Sequence, residues 1–227
     1  STAGFMFGTG GSAIVAKKFG EGKPQEANKN FSLFVYTAAA VGVVLAVLGI
    51  IFARPVAMLL GATGDLLNNA VLYARIILIA LPFNVLQFLF QSFFVTAEKP
   101  KLGLVTTVSS GVTNIILDAI LVILLPQHLK LVGAAIATGM SQVMGGLLPL
   151  IYFSRKNSSL LRLGKTCFDG KALLKACTNG SSELMSNISM NVVGMLYNVQ
   201  LMKYAGEDGI AAYGVMMYVS FIFASVF

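Results

Sequence analysis

The sequence has few charged residues for its length. Asp, Glu, Lys and Arg make up 11% of the 227 residues, whereas hydrophobic residues make up 56%. Soluble domains carry about 25% charged residues, because a polar surface must cover the apolar interior. A chain with so few charges cannot cover itself in that way, so much of its surface must face lipid. The composition predicts an integral membrane protein with the lipid bilayer as a partner.

The side chains that build most metal and nucleophilic sites are also scarce. Tryptophan is absent, and there are only one histidine, His128, and two cysteines, Cys167 and Cys177. No second His or Cys stands at zinc-site spacing, and no Ser, His and Asp set suggests a hydrolase. We therefore expect no enzyme activity, no cofactor and no metal other than a coupling Na⁺.

The excess of positive charge, +7 in all, does not indicate nucleic acid, because no basic patch is interleaved with aromatic residues. Twelve of the 16 Lys and Arg residues lie between 17 and 29, between 99 and 101, and between 155 and 175. The other four are Arg54, Arg75, Lys130 and Lys203. If alternate loops share a side, this bias places the first three segments in the cytoplasm. We predict a multi-pass protein of the cytoplasmic membrane.

Long apolar runs, without the alternation of a strand, predict helices that cross the bilayer, which takes about 20 residues. A partial span over 1–16 is followed by Phe31–Ala53, Val71–Val95, Leu102–Leu125, Leu131–Phe153, Leu173–Met202 and an unfinished span from Ile210. The expected fold is an all-α polytopic transmembrane bundle. The polar stretch 154–170 is the one long linker, so we expect one bundle in 1–153 and the start of a second in 171–227.

Two of the nine acidic residues, Asp118 and Glu183, lie inside predicted apolar helices. A charge at the centre of a membrane helix costs about 2.5–3.5 kcal/mol on insertion scales, so such residues usually face a protein interior or an aqueous cavity. Each belongs to a polar stripe within an arc of about 80° on its helix. One stripe contains Thr107, Ser110, Asn114 and Asp118; another contains Glu183, Asn187, Asn191 and Asn198; a weaker one contains Asn84, Gln87 and Gln91.

These stripes have two interpretations. Polar side chains in membrane helices often hydrogen-bond between helices and do nothing else. Asn or Ser would serve that purpose at lower cost than a carboxylate, so the stripes of Asp118 and Glu183 favour a cavity. Burial disfavours the charged form of a carboxylate unless a cation lies beside it. Each carboxylate is therefore suited to carry a proton or to bind Na⁺ or an organic cation, as an antiporter requires.

The sequence resembles the multidrug and toxin extrusion (MATE) family over most of its length. The resemblance depends on the order and spacing of several segments, namely GTGGSAIVAKKFGEGKPQEA, LLGATGDLLNNAVLYARI, AEKPKLGL, NIILDAILV, LVGAAIATGMSQ and GEDGIAAYGV. It implies a fragment covering helices two to eight of a twelve-helix, two-lobe transporter, with 154–170 between the lobes. The missing helices of the same chain would then be its partners.

The resemblance also implies an activity and a site. Family members export cationic amphipathic compounds in exchange for Na⁺ or H⁺. Their cation site matches Asn114 and Asp118, Thr138 matches it less closely, and some branches have an acid at Glu183. We assign those four residues to cation coupling, and Ser110, Gln87, Gln91, Asn187, Asn191 and Asn198 to the substrate cavity.

The chain departs from the family pattern where proline is common. Ala119 follows Asp118, and Gly180 is followed by two serines, so local helix bending is in question. Two other functions stay open. A lipid-linked oligosaccharide flippase would need cations in its cavity, and the predicted spans have none. A membrane scaffold that transports nothing would tolerate the loss of Asp118 and Glu183.

Overall fold

The computed structural model describes residues 2–59, 64–126 and 129–226; His128 lies outside them. All regular secondary structure in these residues is helical, which confirms the all-α prediction. The helices are α1 Thr2–Gly20, α2 Pro24–Leu59, α3 Gly64–Thr96, α4 Pro100–Leu124, α5 Lys130–Ser154, α6 Gly170–Asn179 and α7 Ser181–Val226. Among the described residues, α2, α3, α4 and α5 are long and apolar enough to cross a membrane, so the multi-pass prediction is confirmed.

Proline and glycine set the turns at one end of the bundle. Pro24 and Pro100 begin α2 and α4, where a missing N–H costs nothing, and Gly22 takes a positive φ of 71°. Across the first turn, the Lys18 Nζ donates a 2.7 Å hydrogen bond to the Glu26 carboxylate. This hydrogen bond lowers the pKa of Glu26 and raises the pKa of Lys18.

Helices α1 to α5 form a bundle in which α3 contacts α1, α2 and α5, while α4 packs mainly on α5. A cluster of fully buried phenylalanines closes one end. The Phe31 ring meets the rings of Phe93 at 4.9 Å and Phe153 at 5.2 Å, and Phe90 stacks on Phe153 at 5.5 Å. Aromatic pairs at these separations add about 0.5–1.5 kcal/mol each to their burial.

Glycines bring the helix backbones close together, as in other membrane bundles. A side chain at Gly4 of α1 would collide with the Val85 carbonyl oxygen on α3, and one at Gly146 of α5 with that of Phe83. Gly139 faces Ala80 in the same way, so α3 and α5 run parallel.

The basic linker is an ordered part of the first compact unit. This unit spans Ser1–Leu184 and includes α6, and a second unit spans Met185–Phe227. Leu161 in the linker is fully buried, and the Leu163 N–H donates to the Phe153 carbonyl. The expected lobe boundaries at 153 and 171 stay a prediction.

The helix expected over Leu173–Met202 is wrong, because α6 ends at Asn179 and α7 begins at Ser181. Asn179 and Gly180 are weak helix formers, and Glu183 lies in the first turn of α7, where a carboxylate favours a new helix start. A second interruption occurs inside α7 at Gly206, where φ is 65° and ψ is −158°.

Arg75 also differs from expectation. The charge pattern counts it with the loops, but α3 begins at Gly64 and its apolar segment covers Leu67–Thr96. Arg75 therefore lies inside a membrane-length helix, and it is exposed on the protein surface.

Candidate functional site

The α4–α5 contact sets the position of the Asp118 stripe. The Ser110 Oγ on α4 donates a 2.7 Å hydrogen bond to the Ser141 carbonyl oxygen on α5, and both residues are buried. Farther along α4, the side chains of Leu121 and Leu125 pack against Gly133. The two helices are therefore antiparallel, with their register fixed at both ends of the contact.

This register brings three of the four predicted cation-coupling residues to neighbouring levels. Four residues beyond Ser110, Asn114 is level with Thr138, which lies three residues before Ser141 on α5. Asp118 follows one turn later, about 6 Å along the α4 axis. All three residues are half-buried. The Thr138 carbonyl accepts a 2.8 Å hydrogen bond from the Ser141 Oγ, so one chain of bonds links Ser110 to Thr138.

The arrangement suits a hard cation. Carboxylate, amide and hydroxyl oxygens are the ligands that Na⁺ shares with other hard cations, and Asp118, Asn114 and Thr138 offer one of each. Among the described residues, no group of three His, Cys, Asp or Glu side chains could hold a metal ion. The chemistry of the donors therefore fits a weakly held monovalent cation better than a transition metal.

The predicted glutamine stripe lies at the contact between α3 and α5. A Cβ at Gly145 would come within 2.5 Å of the Gln87 side-chain carbon Cδ, so the Gln87 amide rests directly on the α5 backbone. Gln91 is half-buried one turn later on α3. Gln87 has the helix contact that the interhelical interpretation predicted, whereas its predicted role in a substrate cavity stays untested.

Sequence reasoning missed Gln142 on α5. Its side-chain oxygen Oε1 is buried and has no hydrogen-bond partner among the described residues. Such a group costs about 1–3 kcal/mol if it stays unsatisfied. A signal was present, because Thr138, Ser141 and Gln142 follow each other on one apolar helix, one turn before Gly145.

Glu183 is held by the contact between α1 and α6. Gly10 of α1 approaches the Ala176 carbonyl oxygen, and Gly180 approaches the carbonyl oxygen of Met6. Met6 lies about 21 Å along the α1 axis from Gly20, at 1.5 Å per residue. The half-buried Glu183, three residues beyond Gly180, is therefore well away from the end of the bundle at which α1 finishes.

The remaining predicted cavity residues belong to the second compact unit. Asn187 is half-buried, whereas Asn191 and Asn198 are exposed. The Asn191 Nδ2 donates a 2.7 Å hydrogen bond to the Asn187 carbonyl oxygen, one turn earlier on α7. Their role in binding stays a prediction.

Comparison with known families identifies the fold and its lineage. The MatE family model matches residues 1–120, more than half of the chain. The chain belongs to the MatE family. This confirms the resemblance seen in the sequence and agrees with a transport protein rather than an enzyme.

Individual relatives agree. The chain is 33% identical over 213 residues to the multidrug export protein MepA of Staphylococcus haemolyticus, covering 93% of this chain and 46% of that protein. Its fold matches an inward-facing multidrug resistance MATE family transporter of the MOP superfamily, with a TM-score of 0.86, 20% identity and coverage of 97% and 50%. The MATE multidrug transporter DinF-BH, solved in complex with a drug-like ligand, matches with a TM-score of 0.81, 24% identity and coverage of 95% and 48%. The chain spans about half the length of these MATE proteins.

Proposed function

We propose that this chain forms about half of a MATE-type antiporter of the cytoplasmic membrane, which exports cationic amphipathic drugs in exchange for Na⁺ or H⁺. Family membership and the printed function of the MepA relatives, multidrug export, support the efflux of drugs. The ligand complex of DinF-BH, a protein with the same fold, supports a drug-sized substrate.

One observation supports the coupling step above the others, namely the level of Asn114 and Asp118 on α4 with Thr138 on α5. In this proposal Asp118 holds either a proton or Na⁺, and Asn114 and Thr138 supply neutral oxygens to the bound cation. The two states exchange at modest cost because each neutralises the same carboxylate. Substrate and ion then compete for one lobe, which ties export to ion entry.

The test uses the full-length protein in proteoliposomes, with an imposed Na⁺ gradient in one set and a pH gradient in another. Asp118→Asn keeps size and hydrogen bonding but removes the titrating group, so ion-driven drug uptake should stop while the protein stays folded. Asp118→Glu should retain part of the activity. Glu21→Gln, a change of an exposed loop carboxylate, is the matched control. Wild-type uptake by Asp118→Asn under both gradients would remove Asp118 from the coupling step.

Arg75 gives the flippase alternative a specific test. Its place inside α3 supplies the cation that the predicted spans lacked. Arg75→Gln should leave drug export unchanged in our proposal. A loss of lipid-linked oligosaccharide translocation in that variant, with no drug transport by the wild-type protein, would favour the flippase instead.

A further inference from the structure

Linker residues 160–166 follow the first turns of α2 and are fixed there by hydrogen bonds. The Asn28 Oδ1 accepts from the Arg162 N–H at 2.7 Å, and the Ser32 Oγ accepts from the Gly164 N–H at 3.0 Å. The Thr166 Oγ1 donates to the Lys29 carbonyl oxygen at 2.9 Å. Asn28 and Ser32 are one helical turn apart, so the linker runs along one face of α2.

The linker and α2 enclose a cavity of about 340 Å³. Lys29 of α2 and Arg162 and Lys165 of the linker line it, together with polar side chains that include Gln25. No Asp or Glu is among the described lining residues, so the cavity holds three positive charges and no negative one. The volume is roughly that of ten water molecules in the liquid, enough for a phosphate and its attached alcohol.

A neighbouring cavity shows the contrast. Lys18 and Lys29 line it as well, but Glu26 and Asp169 lie beside them, so its charges balance. Glu26 already accepts the hydrogen bond of Lys18. The unbalanced charge is therefore confined to the cavity of Lys29, Arg162 and Lys165.

The position along α2 corresponds to a membrane–water boundary. The predicted span begins at Phe31, between Lys29 and Ser32, and the basic side of the bundle is the predicted cytoplasmic one. The Tyr36 hydroxyl, one turn after Ser32, lies 3.4 Å from the Gly164 carbonyl oxygen, and its ring is half exposed, as in an interfacial aromatic belt. Lipid phosphates lie at this level, whereas a soluble anion has no reason to concentrate there.

We propose that this cavity binds the headgroup of an anionic phospholipid of the cytoplasmic leaflet. Lys29, Arg162 and Lys165 contact the phosphate, and the acyl chains run along the exposed apolar surface of α2. The lipid stabilises the linker against α2 and so fixes the segment that joins the two predicted lobes. The proposal does not depend on drug export.

The experiment compares two lipids on the full-length protein purified in detergent. Phosphatidylglycerol and phosphatidylcholine with the same acyl chains are added, and bound lipid is counted by native mass spectrometry alongside thermal unfolding. The variant carries Lys29→Gln, Arg162→Gln and Lys165→Gln, whose side chains are exposed and make no bond in the linker contact, which uses the Arg162 backbone. Retention of phosphatidylglycerol should fall roughly ten- to a hundredfold, since each cation adds to attraction by an anionic lipid.

A second triple variant is the control. Lys99→Gln, Lys101→Gln and Lys156→Gln remove equal charge on the same predicted side, outside the cavity, and should leave retention within about twofold. Equal losses in both variants would overturn the proposal in favour of diffuse charge attraction. So would equal retention of phosphatidylcholine and phosphatidylglycerol by the wild-type protein. Stabilisation by soluble glycerol phosphate that matches the lipid and requires the same three cations would assign the cavity to a free anion instead.

Discussion

Ser110 on α4 and Ser141 on α5 are joined by a buried hydrogen bond of 2.7 Å from the Ser110 Oγ to the Ser141 carbonyl oxygen. This bond holds a helix that exposes most of its apolar surface and has little other contact within the described part of the chain. The bond therefore aligns Asn114 and Asp118 with Thr138, and its loss should loosen the whole stripe.

Ser110→Ala tests that alignment. We expect it to lower the free energy of unfolding by about 0.5–1.5 kcal/mol, the range for hydrogen bonds between membrane helices. Thermal unfolding of the purified protein in detergent measures the change. Ser109→Ala is the control, because Ser109 is half-buried on the same helix and its hydroxyl donates no hydrogen bond to another described residue. Equal effects of the two changes would show that Ser110 does not fix the register.

Gly10→Ala tests the contact between α1 and α6. An added Cβ would occupy the space of the Ala176 carbonyl oxygen, and backbone cannot move aside as a flexible side chain can. We expect a loss of about 1–3 kcal/mol, typical of overpacking, seen as a lower unfolding temperature. Gly20→Ala, on the same helix with open space around it, should have little effect. A stable Gly10→Ala protein would contradict the observed helix contact.

The sequence predicted the spans of α2 to α5 well, because apolar length alone decides where a helix can cross lipid. It did not predict the break at Gly180. An apolar run looks the same whether a helix continues or restarts, and the break follows from the contact with Met6, which is distant in sequence. For the same reason the linker read as a free connection, although Leu161 is buried.

The candidate site was partly readable. Periodicity placed Asn114 and Asp118 on one face of α4, but their level against Thr138 depends on the Ser110–Ser141 register, which no local pattern contains. Gln142 was missed because a single amide between apolar neighbours gives no periodic signal, and only burial of its oxygen distinguishes it.

Gln142→Leu tests whether that oxygen is truly without a partner. Leucine has a similar size and no polar atom, so removal of an unsatisfied buried group should raise the free energy of unfolding by about 1–2 kcal/mol. Thermal unfolding of the purified protein gives the sign. Gln87→Leu, whose amide is not trapped in this way, should raise stability less. A destabilised Gln142→Leu protein would mean that water or a bound cation satisfies the oxygen in the membrane.

Cys167 provides a native probe of orientation. It is exposed on the linker, on the side that the loop charges predict to be cytoplasmic. In a Cys177→Ser background it should resist a membrane-impermeant maleimide in intact cells and react after permeabilisation. Pro126→Cys, at the exposed end of α4 in a cysteine-free background, should show the opposite behaviour. Labelling of Cys167 from outside would reverse the predicted topology.

Glu183 could serve the fold rather than transport. A carboxylate in the first turn of a helix gains about 0.3–1 kcal/mol from the backbone N–H groups there, and Glu183 begins α7 in this way. Its depth argues for a second role, since Gly180 packs at Met6, well away from the predicted cytoplasmic end of α1. A purely structural carboxylate has no need of that position.

Glu183→Gln separates the two roles, because glutamine keeps the size and part of the hydrogen bonding but cannot carry a charge or release a proton. In the full-length protein we expect drug export to fall by about tenfold or more, which corresponds to a loss of at least about 1.4 kcal/mol in the transport step. Unfolding temperature and abundance should stay near those of the wild type, because the first-turn effect is small. Drug accumulation in cells at matched protein level measures the outcome. Glu21→Gln controls for the loss of a carboxylate at an exposed site. Wild-type export with a lowered unfolding temperature would assign Glu183 to the start of α7 alone.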